Sequence, residues 1–128
     1  MAYATQEDME KRFKEAELLD LTNPDDLDAE TINVDVLQVA LDDASAAIDA
    51  HLSGRFAVPI ANPPDVLTNV CCNIARYNLY SGKSTEEVET RYDNAIKLLN
   101  RIAAGDVNLG STSATAGGVR LWNVSQPA

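Results

Sequence analysis

Basic residues are scarce where this sequence is densest in acids. Residues 1–54 hold fourteen Asp and Glu against only Lys11, Arg12 and Lys14, a net of −11, whereas residues 55–128 hold six acids and seven bases. Direct phosphate binding needs Lys and Arg to displace counterions, so the acidic half excludes it there. Solubility, a basic partner or a surface that repels nucleic acid are the remaining uses of such a charge. Cysteine is limited to the adjacent Cys71 and Cys72, and histidine to His51. Sequence neighbours rarely bridge each other, and these three residues fall short of a zinc site, so buried free thiols in a reducing compartment are expected. No basic segment leads into an apolar run at the start and no eighteen consecutive apolar residues occur, so neither export nor a membrane span is expected.

Catalytic patterns are missing too. His51 has no Ser or Cys partner suggested by a motif, and Asp42 and Asp43 project about 100° apart on a helix, so they form no acid/base pair. No glycine-rich phosphate loop follows a strand. An enzyme is not expected, and neither is a cofactor. Aromatics make up 5% of the 128 residues while hydrophobics make up 45%, much of it alanine. One domain with a thin helical core follows, part of it completed by another chain.

What is present is helical periodicity, strongest from Asn33 to Ile60. Val34, Leu37, Leu41, Ala44, Ile48 and Leu52 recur at steps of three and four, one stripe of a long central helix. Asn33 is an N-cap candidate and Gly54 a left-handed stop. Ala40, Ala44, Ala46, Ala47 and Ala50 would admit close neighbours. The opposite stripe carries Asp35, Asp42 and Asp49 at intervals of seven, with no Lys or Arg between 33 and 54.

The other elements follow in order. Thr5 with Gln6, Glu7 and Asp8 opens a first helix, in which Met9 and Phe13 face inward. Ala16, Leu18, Leu19 and Leu21 continue it, as one bent helix or two short ones, until Thr22-Asn23-Pro24-Asp25-Asp26 breaks it. The acids Asp25, Asp26, Asp28 and Glu30 lack the glycine and the closing Glu of a calcium loop, so a solvated turn is expected. Arg55 to Ile60 should lie extended against the bundle. A helix then starts at Asn62-Pro63-Pro64-Asp65, buries Leu67, Val70, Cys71, Ile74 and Tyr77, and ends at Ser81-Gly82. Ser84 and Glu87 have the spacing of a capping box for the last helix. Val88, Tyr92, Ala95, Leu99 and Ile102 form its narrow seam, and Gly105 stops it. Residues 111–118 have the composition of a flexible linker. Beyond them Val119, Leu121 and Trp122 lie in an alternating stretch that reads either as a frayed terminus or as an arm that adds to a neighbour. The fold class is therefore all-α, with four to five helices over residues 1–110 and a C-terminal arm over 111–128.

The opening Met1-Ala2-Tyr3-Ala4-Thr5, the core Ala44-Ser45-Ala46-Ala47-Ile48-Asp49 and the run Leu52-Ser53-Gly54-Arg55-Phe56-Ala57-Val58-Pro59-Ile60 resemble one phage family. So do Cys72-Asn73-Ile74-Ala75-Arg76-Tyr77-Asn78-Leu79-Tyr80, Glu89-Thr90-Arg91-Tyr92-Asp93-Asn94-Ala95 and Arg101-Ile102-Ala103-Ala104-Gly105. The family is that of the Mu-like phage and prophage head–tail connectors, similar to the helical head-completion adaptors of other long-tailed phages. Many of its members carry a glycine-bearing acidic segment where residues 23–30 stand here, and this chain does not.

The resemblance implies a virion protein at the head–tail junction, assembled in the host bacterial cytoplasm. It would be a homo-oligomeric ring beneath the portal protein and a platform for a tail-completion or tail-terminator protein. DNA would pass through the ring without specific binding. Three features of the sequence suit that role. Helix faces left open by a thin core could be covered by a neighbour, and head-to-tail copies close such an interface into a ring. Asp35, Asp42 and Asp49 repeated around it would line a negative channel that DNA slides past. The apolar arm suits strand addition to a partner. Arg55, Arg76 and Arg91 are candidates for interface or intrachain pairing. The alternative reading is an acidic inhibitor that mimics DNA on a basic nucleic-acid-binding protein.

Overall fold

A computed structural model describes residues 2–107 and 109. Five helices follow one another: α1 (Gln6–Arg12), α2 (Glu15–Thr22), α3 (Val34–Leu52), α4 (Asp65–Tyr80) and α5 (Glu86–Ala103). No strand occurs among the described residues, and the all-α expectation holds. None of these helices is long and apolar enough to cross a membrane.

The first acidic run forms two helices rather than one. A reciprocal capping box opens α1: the Thr5 side chain accepts from the Asp8 N–H, and the Asp8 carboxylate accepts from the Thr5 N–H at 2.9 Å. Phe13 and Lys14 are extended and separate α1 from α2. Thr22 and Asn23 then hold the loop that follows. Thr22 Oγ1 donates to the Leu18 carbonyl and accepts the Asn33 N–H at 3.0 Å, while Asn23 Nδ2 donates to the Thr31 carbonyl at 2.9 Å.

The long helix α3 begins as its sequence implies, with Asn33 Oδ1 accepting the Val36 N–H at 3.3 Å. Its other end differs. The C-cap is Ser53, in right-handed geometry, and Gly54 is not left-handed. The N–H groups of Arg55 and Phe56 both bond the Leu52 carbonyl, so the turn satisfies the helix end without a positive φ. Val34 also leaves the expected stripe and is 52% exposed, as the first helical residue beyond the packed turns. Of the alanines, Ala40 and Ala44 are buried, while Ala46 and Ala50 face solvent.

Leu37, Leu41, Ile48 and Leu52 of α3 meet Leu67, Val70, Cys71, Cys72 and Ile74 of α4, and Leu99 and Ile102 of α5 close the wedge. Each such Leu or Ile, fully removed from water, contributes roughly 1.5–3 kcal/mol. The centre is shared, because α4 packs on α1, α2, α3 and α5 just as α3 does on the others. Phe56 and Val58 are half-buried against this core and Ile60 is buried, in a chain of turns and bends with a cis Val58–Pro59 bond rather than an extended run. The heart of the domain is thus closed by the chain itself. The large apolar residues that stay exposed are Leu27, Val34, Val36 and Val39.

The last helix is capped one residue later than its sequence suggests. Thr85, not Ser84, is the N-cap and accepts the Val88 N–H at 3.3 Å, whereas Ser84 Oγ donates to Glu89 and Glu87 turns to arginines. At the other end Gly105 has φ +86, its N–H bonds the Ile102 carbonyl, and the Asp106 N–H reaches back to the Arg101 carbonyl. That pair of bonds is the Schellman arrangement, for which glycine carries no side-chain penalty.

Candidate interaction surfaces

Three sites gather the polar side chains, and sequence reasoning located only parts of them. The first is built on Tyr3, which the chain start places between α3 and α4. Its N–H donates to Ser45 Oγ at 2.9 Å, its carbonyl accepts from Thr68 Oγ1, and its phenolic oxygen accepts the Ile60 N–H at 2.8 Å while donating to Asp49. Burial first, and then the bond to the Asp49 carboxylate, pushes the Tyr3 phenol up to about 12. Asp49 is therefore tied into the fold and half-buried, whereas Asp35 and Asp42 are exposed. A seven-residue repeat on a 3.6-residue helix drifts about 20° per heptad, so the third member of the stripe has rotated toward the core edge. Asp20, Asp25, Asp26, Asp28, Glu30 and Asp43 of this half are exposed as well.

The second site joins α2, α4 and α5. Arg76 Nε and Nη2 donate to the two oxygens of Glu17 at 2.9 and 3.2 Å, and Tyr80 donates to the same carboxylate. Glu87 stands 3.7 Å from Arg76 Nη1 and pairs with Arg91 at 3.2 Å, four residues on. The Arg76 guanidinium lies 4.5 Å from the centre of the Phe13 ring. Burial by itself would lower the Arg76 pKa, but the Glu17 hydrogen bonds and charge outweigh it and raise it. Of the three arginines named for interface or intrachain pairing, Arg76 is thus an intrachain residue, 8% exposed. Arg91 is half-exposed beside Glu87. Arg55 is exposed and lays its guanidinium over Gly105, where a Cβ would stand 2.9 Å from it. Val119, Leu121 and Trp122 lie outside the described residues.

The third site is a groove of about 540 Å³ between the end of α2, the first half of α3 and the end of α4. Leu21, Val36, Val39 and Leu79 supply its apolar lining, with the charged Asp20, Asp43 and Lys83 beside them. Nothing in the sequence marks it except Val36 and Val39, which interrupt the polar side of α3.

Candidate chemical groups elsewhere are accounted for by packing. His51 Nδ1 lies 2.8 Å from the Ala47 carbonyl, which can only accept, so that nitrogen carries the proton. Cys71 and Cys72 are buried free thiols, and burial pushes Cys72 up to about 12. Among the described residues no group of three or more His, Cys, Asp or Glu is placed to hold a metal ion.

Residues 3–119 match the family described as Bacteriophage Mu, Gp36. The chain belongs to this family. It is similar to gene product J of Escherichia phage Mu, with 34% identity over 116 residues that cover 91% of this chain and 82% of that protein. A second relative is the Mu-like prophage FluMu protein gp36 of Haemophilus influenzae, 37% identical over 83 residues, 65% of this chain and 59% of that protein. The aligned part thus spans less than two thirds of the Haemophilus relative. The family is a Mu-like phage family, and its match runs past the last helix into residues 110–119, where the first glycines and Val119 of the C-terminal stretch lie.

Proposed function

We propose that this protein is a virion component of the head–tail junction, an adaptor that forms a ring beneath the portal protein and offers the platform for the tail. The observation that carries the reading is membership in a Mu phage family over residues 3–119, joined to a small helical domain with no assembled catalytic group among its described residues. Two physical features support it. Much of the acidic half is displayed: Asp35, Asp42 and Asp43 on α3 and the carboxylates of the 25–30 loop are all exposed. Repeated around a ring, such a surface repels phosphates at close range. The large exposed apolar residues Leu27, Val34, Val36 and Val39 are gathered on the first half of α3 and the loop before it, a patch that suits a heterologous contact between subunits.

The test uses the purified chain and the portal protein encoded by the same phage genome. Gel filtration with light scattering should show the chain alone as a small species and, with the portal, a complex holding a whole ring of copies. Failure to co-migrate, with particles that complete heads and join tails in its absence, would remove the adaptor reading. Competition with DNA for a basic protein would then favour the mimic.

A further inference from the structure

The groove between α2, α3 and α4 has no occupant among the described residues, although Val39 is 60% exposed on its wall. A matching apolar segment exists in the same chain: Val119-Arg120-Leu121-Trp122-Asn123-Val124, which carries the single tryptophan. We propose that this segment of one copy seats in the groove of the next copy, so that the C-terminal arm is the fastener between neighbouring subunits. The inference rests on the ring reading and names its contact.

Three observations support that occupant. Bound in extended form, the segment would present Arg120, Trp122 and Val124 on one side, because alternate residues of an extended chain share a side. Trp122 and Val124 match the apolar wall of Leu21, Val36, Val39 and Leu79, and Arg120 is the one base after Arg101, opposite a groove whose charged lining is Asp20 and Asp43 against Lys83, acidic on balance. Position supplies the second argument. Arg55 packs on Gly105, so the chain leaves α5 beside the C-terminal end of α3, whereas the groove lies on the N-terminal half of α3. Exit and groove at opposite ends are what a head-to-tail contact needs, and head-to-tail contacts close into rings. Reach is the third. Residues 110–118 span up to about 30 Å when extended, enough to cross to a neighbour. Strand addition is not available for this docking, because the described residues offer no sheet edge; a groove between helices takes its place.

Cysteine exchange between full-length chains tests the contact. One chain carries Val39→Cys and another Val124→Cys, and they are mixed under mild oxidation. The native Cys71 and Cys72 are buried and do not compete. A mixed disulfide dimer should form several-fold faster than with Asp93→Cys, an exposed position on α5. Arg120→Glu should slow it several-fold, and Asp20→Lys with Asp43→Lys should restore the rate in that background. Trp122 emission should shift to shorter wavelength as concentration rises, and Val39→Asp should abolish the shift while leaving the circular dichroism unchanged. Cross-linking no faster than the Asp93→Cys control overturns the proposal. Closure only within a chain bearing both cysteines overturns it equally, since the arm would then fill its own groove. A Trp122→Ala chain that still forms the full ring on the portal removes the fastener and keeps the ring; a wild-type chain that forms none removes the ring itself.

Discussion

Tyr3 and Arg76 each tie several elements together through polar contacts. Tyr3→Phe leaves the half-buried Asp49 carboxylate and the Ile60 N–H without their partner, and should cost about 1–3 kcal/mol in urea unfolding. Its pH signature is distinct. The phenol is held neutral in the fold up to about 12, against an ordinary 10.0. As pH rises past 10 the unfolded chain loses this proton first, so stability falls from there to about pH 12. Below pH 10 the contribution is fully present. Cys72 behaves alike from an ordinary 9.0 upward, because burial disfavours its thiolate. Tyr3→Phe should flatten the upper part of the alkaline stability curve and Cys72→Ala the lower part, both read by denaturant midpoints across pH 8–12 (an interval set by those ordinary and raised values). Glu17→Ala leaves the Arg76 guanidinium buried without its bidentate partner and should cost about 3 kcal/mol. Replacing both by methionine should recover most of that loss, since a buried pair gains little over well-packed apolar side chains.

At the scale of elements, the helix starts divide instructively. Thr5, Asn33 and Thr85 all bond a first-turn N–H through their side chains. The alternative cap for α5, Ser84 with Glu87, has the right spacing, yet Glu87 lies near Arg76 and pairs with Arg91. The carboxylate is charged in either bond, but a guanidinium donor brings a full positive charge that a backbone N–H lacks, so tertiary pairing takes the carboxylate and the cap moves to Thr85. Thr85→Ala should therefore cost about 1 kcal/mol, and Ser84→Ala should stay within about 0.5 kcal/mol, both measured by thermal or urea unfolding. The stop at Gly105 was legible from glycine alone. Gly54 was not a stop, because backbone N–H groups of the following turn reach the Leu52 carbonyl first.

For the whole molecule, the prediction concerns charge. Asp35 and Asp42 are exposed and outside the core, so Asp35→Lys with Asp42→Lys should leave unfolding midpoints within about 0.5 kcal/mol of the parent. If these residues line a channel, particles assembled with this variant should release DNA more slowly, by several-fold, because fixed positive groups hold phosphates that carboxylates repel. Unchanged release from correctly loaded particles would mean that the stripe is solvated exterior only. Asp49 is left out of the variant, since its loss would disturb Tyr3 rather than a channel.

The residue pattern by itself determined four to five helices, most of their caps and nearly all of the α3–α4–α5 seam, because apolar side chains at three-to-four spacing admit one burial-compatible conformation. It also determined the acidic asymmetry, which is a sum over residues and needs no fold. Only the tertiary structure decided which member of the Asp35, Asp42 and Asp49 series turns inward, that Arg76 belongs to Glu17, and that Val36 and Val39 open a groove. Each of those depends on which helix lies opposite, and partners 59 residues apart, as Arg76 and Glu17 are, share no local period from which their meeting could be read.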